Sequence, residues 1–486
     1  MTKLILSFNR LIKKYKLEKV FTPSSIARLT YVKRASIEND IDKYLQTPGM
    51  QIVLYGHSGC GKSTLIYNKL SSKNIKYITT SCSTSTTFND LIYQAFDKLD
   101  LFYISEKALK KTNSVQSEIK AKFLQAKASL SSTVSNEEST KSVRILPIQI
   151  TSERLAEFLG HIGCAWVIED FHKVSEKEKK KIADILKIFV DSSKDYPNVR
   201  IICIGAVGTA RELIELDSNL QTRVAEMLIP LLSDDEICQI LTTGFELMNV
   251  KHVNEIKDKI IHYSNNLASI CHQICYDICY NRNFKRCNIF KEFIGNDDFN
   301  SAISSYVRKN MDTYTKIFDG IAAKFNKMSI LEGLINSQKN SITFNELLKE
   351  TRKIKSIKLE TFTTSLNELT SIDCKEVLRY DSNSKKYSFS TPFFQAFLKM
   401  KLAIDEAEKV EQKRKKSKKN GLVLSSSNEI SFDDHDKYLM EMLSDLQNIY
   451  FRRNAFESKH RDNLFKMKIA NDKETDYLLK SINKKR

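Results

Sequence analysis

Residues 54–64 read "LYGHSGCGKST". The apolar run "QIVLY" leads into this stretch and "TLIYNKL" leads out of it. Gly56-His57-Ser58-Gly59-Cys60-Gly61-Lys62-Ser63 satisfies G-x-x-x-x-G-K-[ST] at every fixed position. The pattern demands a buried strand that ends at the loop and a helix that starts from it. Glycines let the backbone curl so that its N–H groups face phosphate oxygens, and the helix N-terminus adds positive potential. The expected ligand is therefore ATP with Mg²⁺, held by Gly56 through Thr64, with Lys62 on the β- and γ-phosphates and Ser63 on the metal.

Strand and helix signals alternate from residue 20 to about 230, which predicts a parallel sheet covered on both faces. After "QIVLY" come "NIKYITTSC" as a second strand and "TFNDLIYQAFDKL" as a helix of 3.6-residue period. "CAWVIED" reads as the third strand, "SEKEKKKIADILKIFVDSS" as a capped amphipathic helix, "NVRIICIG" as the fourth strand and "EMLIPLL" as a short fifth. Residues about 103–150 interrupt the alternation and read as an insertion. The third strand ends in Glu169 and Asp170, the acidic pair that a phosphate loop of this kind needs nearby. Position assigns Glu169 to the Mg²⁺ shell and Asp170 to the attacking water. The usual order is Asp then Glu, and the shorter Asp170 holds water less closely, so slow hydrolysis is expected.

From Ser233 to about Asn310 the pattern is helical, opening on Ser233 as a cap with acidic residues in the first turn. Three helical runs and the strand pair in "KEVLRYDSNSKKYSFS" follow, which together describe a winged helix. Its third helix, Lys358 to Thr370, is preceded by Lys349, Arg352, Lys353 and Lys355, and the wing adds Arg379, Lys385 and Lys386. The helix itself carries Glu360 and Glu368 and no arginine, which favours packing against protein over reading DNA bases. A charged linker with "KRKKSKK", a polar spacer and the amphipathic "YLMEMLSDLQNIYF" close the chain.

The chain has 486 residues, enough for two or three domains, and a net charge of +18. That charge is spread along the sequence and is compatible with nucleic acid or an acidic partner. No run approaches the roughly 18–20 apolar residues of a membrane span, and the N-terminus lacks a secretory h-region. The expectation is a cytoplasmic protein without membrane contact, whose thiols stay reduced. Cys271, Cys275, Cys279 and Cys287 are then read as a buried helical stripe, because three residues at four-residue spacing extend over about 12 Å and do not converge on one ion. No nuclease cluster or Ser/His/Asp order appears, so nucleotide chemistry is the only chemistry the sequence displays.

The phosphate loop, "VIEDFH", the all-helical stretch after the fifth strand and the winged helix together resemble AAA+ ATPases of the origin-recognition and STAND-like type, over about residues 20–400. The resemblance implies an α/β fold with a parallel sheet in the order 5-1-4-3-2, a helical lid and a winged-helix domain, to which the sequence adds a helical C-terminal extension outside that layout. Together with the residue pattern at the two ends, it divides the chain into an N-terminal helical segment (1–20), an ATPase core (21–232), a lid (233–323), a winged helix (324–402) and a basic linker with helical extension (403–486). It implies that Arg34 sits beside the nucleotide base and that Arg223, or else Arg211, reaches the site of a neighbouring subunit. The strand-4 sensor is replaced by "CIGAVGTAR", with Gly205, Gly208 and Thr209. The lid signal is replaced by "YSNNLASICHQ", which has no arginine and leaves His272 as a substitute. The implied function is an ATP-hydrolysing switch that forms homo-oligomers and controls a separate effector protein through the C-terminal extension, in prokaryotic antiviral defence or mobile-element control. The alternative is a DNA-binding ATPase of the origin or transposition-regulator kind.

Overall fold

A computed structural model describes residues 15–99, 150–206, 220–288, 291–322, 325–371 and 376–419. The expected insertion, Gly208, Thr209, Arg211 and residues 420–486 of the C-terminal extension lie outside these residues. The chain divides into two compact units, residues 1–407 and 408–486. The first unit holds the sheet, the helices packed on it and the helix-and-hairpin module.

The elements of the first half are α1 (Leu17–Val20), α2 (Ala35–Gln46), β1 (Gln51–Tyr55), α3 (Lys62–Ser72), β2 (Lys76–Ser81), α4 (Phe88–Lys98), α5 (Ser152–Ile162), β3 (Cys164–Glu169), α6 (Glu176–Ser192), β4 (Arg200–Gly205) and β5 (Val224–Leu228). The strands form one five-stranded sheet in the order β2-β3-β4-β1-β5, with every pairing parallel. Read from the other edge, this is the order 5-1-4-3-2.

Period-two alternation sends side chains to two separate interiors. Val53, Trp166, Ile168, Ile201 and Cys203 pack under α4, α5 and α6. Ile52, Leu54, Val167, Ile202 and Ile204 pack under α2 and α3 on the other face. The sequence's only tryptophan is fully buried, and its indole N–H donates to Thr80 Oγ1 at 2.9 Å.

The fifth strand lies earlier than "EMLIPLL" suggests. Val224 pairs with Gln51 and Leu228 with Tyr55. Ile229 N–H still donates to Tyr55 O, but Pro230 has no N–H to continue the ladder. Ser175 occupies the N-cap of α6 without a capping bond. Glu178, three residues on, instead accepts from Phe88 N–H at 2.7 Å and so caps α4.

The second half contains α7 (Asp234–Met248), β6 (Val250–His252), α8 (Asn254–Ser264), α9 (Ala268–Asn281), β7 (Glu292–Ile294) and α10 (Asn296–Ala322). Ser233 and Glu236 form a full capping box at the start of α7. The parallel pair β6–β7 breaks the all-helical expectation for this stretch. Next come α11 (Phe325–Asn336), β8 (Ile342–Thr343), α12 (Phe344–Ile354), α13 (Leu359–Leu369), β9 (Leu378–Asp381), β10 (Lys386–Phe389) and α14 (Pro392–Lys419). β9 and β10 form a hairpin in which Asp381 accepts from Asn383 N–H, Ser384 N–H and the Ser384 hydroxyl. The two-residue β8 adds a third antiparallel strand.

One continuous interior runs through this half, from Leu17 and Phe21 through α7 and α9 to Leu366 and Phe397. Cys271, Cys275 and Cys279 are buried within it. Burial pushes the thiols of Cys275 and Cys279 up, the latter to about 12. The N-terminal strap, residues 15–34, belongs to the same interior. Phe21 fits a notch at Gly244, where an added Cβ would lie 2.2 Å from Phe21 Cε1.

Candidate functional site

A cavity of about 620 Å³ opens where the C-terminal ends of the strands meet the strap, α9 and the start of α14. β1 delivers its chain to the glycine loop and α3 begins at Lys62, with Gly61 as its left-handed N-cap. Gly56, Gly59 and Gly61 have φ of +152°, +75° and +91°, a region that side chains disfavour. Lys62 Nζ donates to the carbonyls of Gly56 at 2.9 Å and His57 at 2.8 Å. Burial lowers its pKa, while Cys60 and Asp170 act in the opposite direction.

The acid pair ends β3 two strands away, across β4. Glu169 Oε1 accepts from Tyr67 OH at 2.9 Å, and Tyr67 OH also meets Thr79 Oγ1 at 3.3 Å. Burial, followed by the charge of Glu169, raises the Tyr67 pKa, while its bond to Thr79 opposes the rise. Asp170 has φ +57°, an uncommon conformation that a short polar side chain tolerates. Its Oδ2 accepts from Lys173 Nζ at 2.6 Å, and both side chains are nearly half exposed. Ser58, Gly59, Cys60, Gly61, Lys62, Ser63, Thr64, Glu169 and Asp170 all line the cavity.

Other expected residues are placed differently. Arg34 lines the cavity, but its guanidinium is committed to protein. It donates to Glu236 Oε1 at 3.1 Å and to the carbonyls of Pro230 at 3.0 Å and Leu231 at 3.2 Å. In the structure it joins the strap to α7. Arg223 precedes β5 at the N-terminal edge of the sheet, the end opposite the glycine loop, where its carbonyl accepts from Gln51 N–H. Its side chain is 47% exposed and its ion partner Asp191 is 3.9 Å away, so its charge is available at the surface. Gly205 ends β4 without a polar side chain, beside the cavity-lining Ile204. His272 is 3% exposed and lines the cavity.

Three neighbours escape the sequence. Tyr67 stands one helical turn beyond Ser63, on the same face of α3, and that spacing marks it in retrospect. Ser269 and Phe393 come from far along the chain: a Cβ on Gly59 would lie 2.7 Å from Phe393 Cζ and 2.7 Å from Ser269 Oγ. His57 follows the first glycine of the loop. Burial lowers its pKa, and the positive charges of Arg379 on β9 and of Lys62 lower it further. The first turn of α14 thus stands against the glycine loop.

No family model and no characterised protein of similar sequence matches this chain. Among solved structures, the chain is similar to the Walker-type ATPase PABY2304 of Pyrococcus abyssi, with 14% identity and a TM-score of 0.45 over 76% of this chain and 100% of the other. It is similar to the ORC2 protein of Aeropyrum pernix, with 11% identity and a TM-score of 0.44 over 80% and 100% of the two chains. For Cdc6p from Pyrobaculum aerophilum the values are 16% identity and a TM-score of 0.39 over 80% and 98%. At these values none of the three lends its ligands or activity to this chain.

Proposed function

We propose that the chain is an ATP-binding and ATP-hydrolysing switch of the AAA+ type. One observation carries this reading: the glycine loop with Lys62 and Ser63 lines the same cavity as the strand-end acids Glu169 and Asp170. Inward-facing loop N–H groups and Lys62 bind and orient the phosphates. The Ser63 hydroxyl and the Glu169 carboxylate are hard oxygen donors, which suit Mg²⁺. When bound, that ion neutralises charge on the phosphates. Tyr67 holds the Glu169 carboxylate in place. Asp170 orients the attacking water and takes its proton. Release from Lys173 precedes that step, which accords with slow turnover.

In the same reading the module from α11 to α14 is a winged helix and α7–α10 a lid. Phe393 at the glycine loop supports a role in holding the ATPase shut. Arg223, exposed at the far edge of the sheet, completes the site of a neighbouring copy. Control of a separate effector and a place in antiviral defence rest on the resemblance of the sequence alone. A second reading, a DNA-binding ATPase, draws on the exposed basic residues Arg352, Lys353 and Lys358 and on the exposed Thr364 and Asn367 of α13. Binding to duplex DNA that falls about 10³-fold between 50 and 200 mM salt separates it from the first.

Exchange of the acids tests the assignment. Asp170→Asn is expected to bind Mg²⁺-ATP normally and to stop phosphate release, whereas Glu169→Gln weakens binding only when Mg²⁺ is present. Swapped phenotypes would sink the assigned roles, and two variants as active as the parent would sink the site.

A further inference from the structure

The cavity has a second polar group set that the phosphate chemistry does not use. Thr22 Oγ1 and Ser269 Oγ are both buried side-chain oxygens without a hydrogen-bond partner. Both residues line the cavity, and so does His272. Thr22 itself is 8% exposed and His272 3%. Thr22 N–H donates to His272 Nδ1 at 3.1 Å, which fixes the ring proton of the neutral imidazole on Nε2. Nε2, the ring's other polar atom, has no hydrogen bond among the described residues. Buried polar groups are normally paired, and each exception in a native protein calls for a reason. Two such groups beside one cavity, with the Nε2 of His272 next to them lacking a bond among the described residues, share a reason if a ligand completes them.

Their order along the cavity indicates which part of a ligand they meet. Ser269 stands against Gly59 of the glycine loop. His272 follows one turn later on the same face of α9, about 5 Å farther along the helix. Thr22 faces His272 from the strap. The apolar side chains of Ile26, Val32 and Ile240 line the same cavity. A nucleotide with its phosphates on the loop extends from charge towards flat apolar surface in the same sequence.

We propose that Ser269, His272 and Thr22 recognise the nucleoside part of the ligand, Ser269 at the ribose and His272 with Thr22 at the polar edge of the base. This rests on the nucleotide reading of the cavity. All three groups act uncharged: His272 donates through Nε2–H to a ring nitrogen or carbonyl of the base, and the hydroxyls donate or accept. Burial holds the His272 pKa down at about 4, so the ring stays neutral at physiological pH and adds no cation beside Lys62.

Calorimetric titration of the whole chain with ATP, ADP and inorganic tripolyphosphate, each with Mg²⁺, tests the proposal. Thr22→Val keeps the main-chain N–H and removes only the hydroxyl; Ser269→Ala does the same. Each is expected to weaken ATP and ADP about 3- to 10-fold, the range for a lost neutral hydrogen bond, and to leave tripolyphosphate unchanged. Ligand-free melting temperatures should be equal to or above the parent's, because the deleted oxygens lack partners. His272→Ala should lose more ATP affinity, and His272→Gln, which offers both an amide oxygen and an amide N–H, should recover most of it. Unchanged ATP affinity in the hydroxyl variants overturns the proposal, and so does an equal loss for tripolyphosphate. Failure of the parent to bind tripolyphosphate and ATP alike overturns the nucleotide reading, and this proposal with it. Tripolyphosphate and ATP bound equally well by the parent refutes nucleoside recognition alone.

Discussion

At the loop end of the cavity the polar groups come from two compact stretches of chain, residues 56–64 and 169–170, and several are charged. At the strap end the guanidinium of Arg34 is held by Glu236 and two carbonyls, and the groups left for a ligand are neutral and come from segments as much as 250 residues apart, as in the bond from Thr22 N–H to His272. The loop end grows out of a sheet whose two interiors are separate. The strap end grows out of a single interior shared by the strap, α7, α9 and the helix-and-hairpin module. Charge is concentrated where a rigid sheet edge positions it, and uncharged recognition is left to the more distant pieces of chain. A charge held badly in a partly dry site is costly, whereas a mispositioned hydroxyl loses only one modest bond.

The largest expected effect belongs to the charged end. Lys62→Ala should weaken ATP and tripolyphosphate together, by about 100-fold or more, since a hydrogen-bonded charge is worth roughly 1.5–3 kcal/mol in such a contact and more where water is excluded. Circular dichroism should show the fold intact. If ATP binding survives while tripolyphosphate binding is lost, the strap end dominates affinity and the contrast is reversed.

The neutral end predicts a pH effect on stability. His272 is held at about 4 in the fold, against about 6.5 in an unfolded chain. Its folded pKa is the lower of the two, so below about 6.5 the unfolded chain takes up the proton first, and stability falls with pH until about 4. The loss from this group is about 2 kcal/mol at pH 5. Denaturant titrations of the parent and His272→Gln at pH 7 and pH 5 isolate it, because the variant lacks that share of the decline. Parallel declines would mean the ring already charges within the fold and that the strap end is not neutral.

Tyr67→Phe should have the smallest effect. It removes the donor to Glu169 and leaves the stacked contact with Tyr77, whose ring centroid is 5.1 Å away. A loss of about 1 kcal/mol, read as a several-fold fall in Mg²⁺-dependent turnover with nucleotide affinity in EDTA unchanged, is expected. Equal losses with and without Mg²⁺ would assign Tyr67 to packing alone.

The same contrast decides what could be read from the sequence. Glycine spacing, four apolar strands and the acids at a strand end are local patterns, and the chain order of the sheet comes from the resemblance they carry. β5 is displaced because "MLIP" is as apolar as the strand itself, and only pairing with β1 shows where it ends. β6, β7 and β8 are too short to display a period. The position of Arg34 is legible but its partners are not: the carbonyls of Pro230 and Leu231 carry no side-chain signal. Ser269 and Phe393 meet Gly59 only through tertiary packing, and nothing within either local sequence announces the other.

The shared interior of the strap, α7–α9 and the later module has a mechanical consequence. Close-packed interiors resist gradual deformation and move between discrete arrangements, so a turn of this body against the sheet is expected to carry it as one lever. Among the described residues, the chain passes from sheet to lever at residues 229–233 and from lever to sheet at residues 30–34. Arg34 ties these two crossings together through the carbonyls of Pro230 and Leu231 and through Glu236. A hinge at these crossings would therefore carry its own latch in one guanidinium, whose release is expected to loosen the swing.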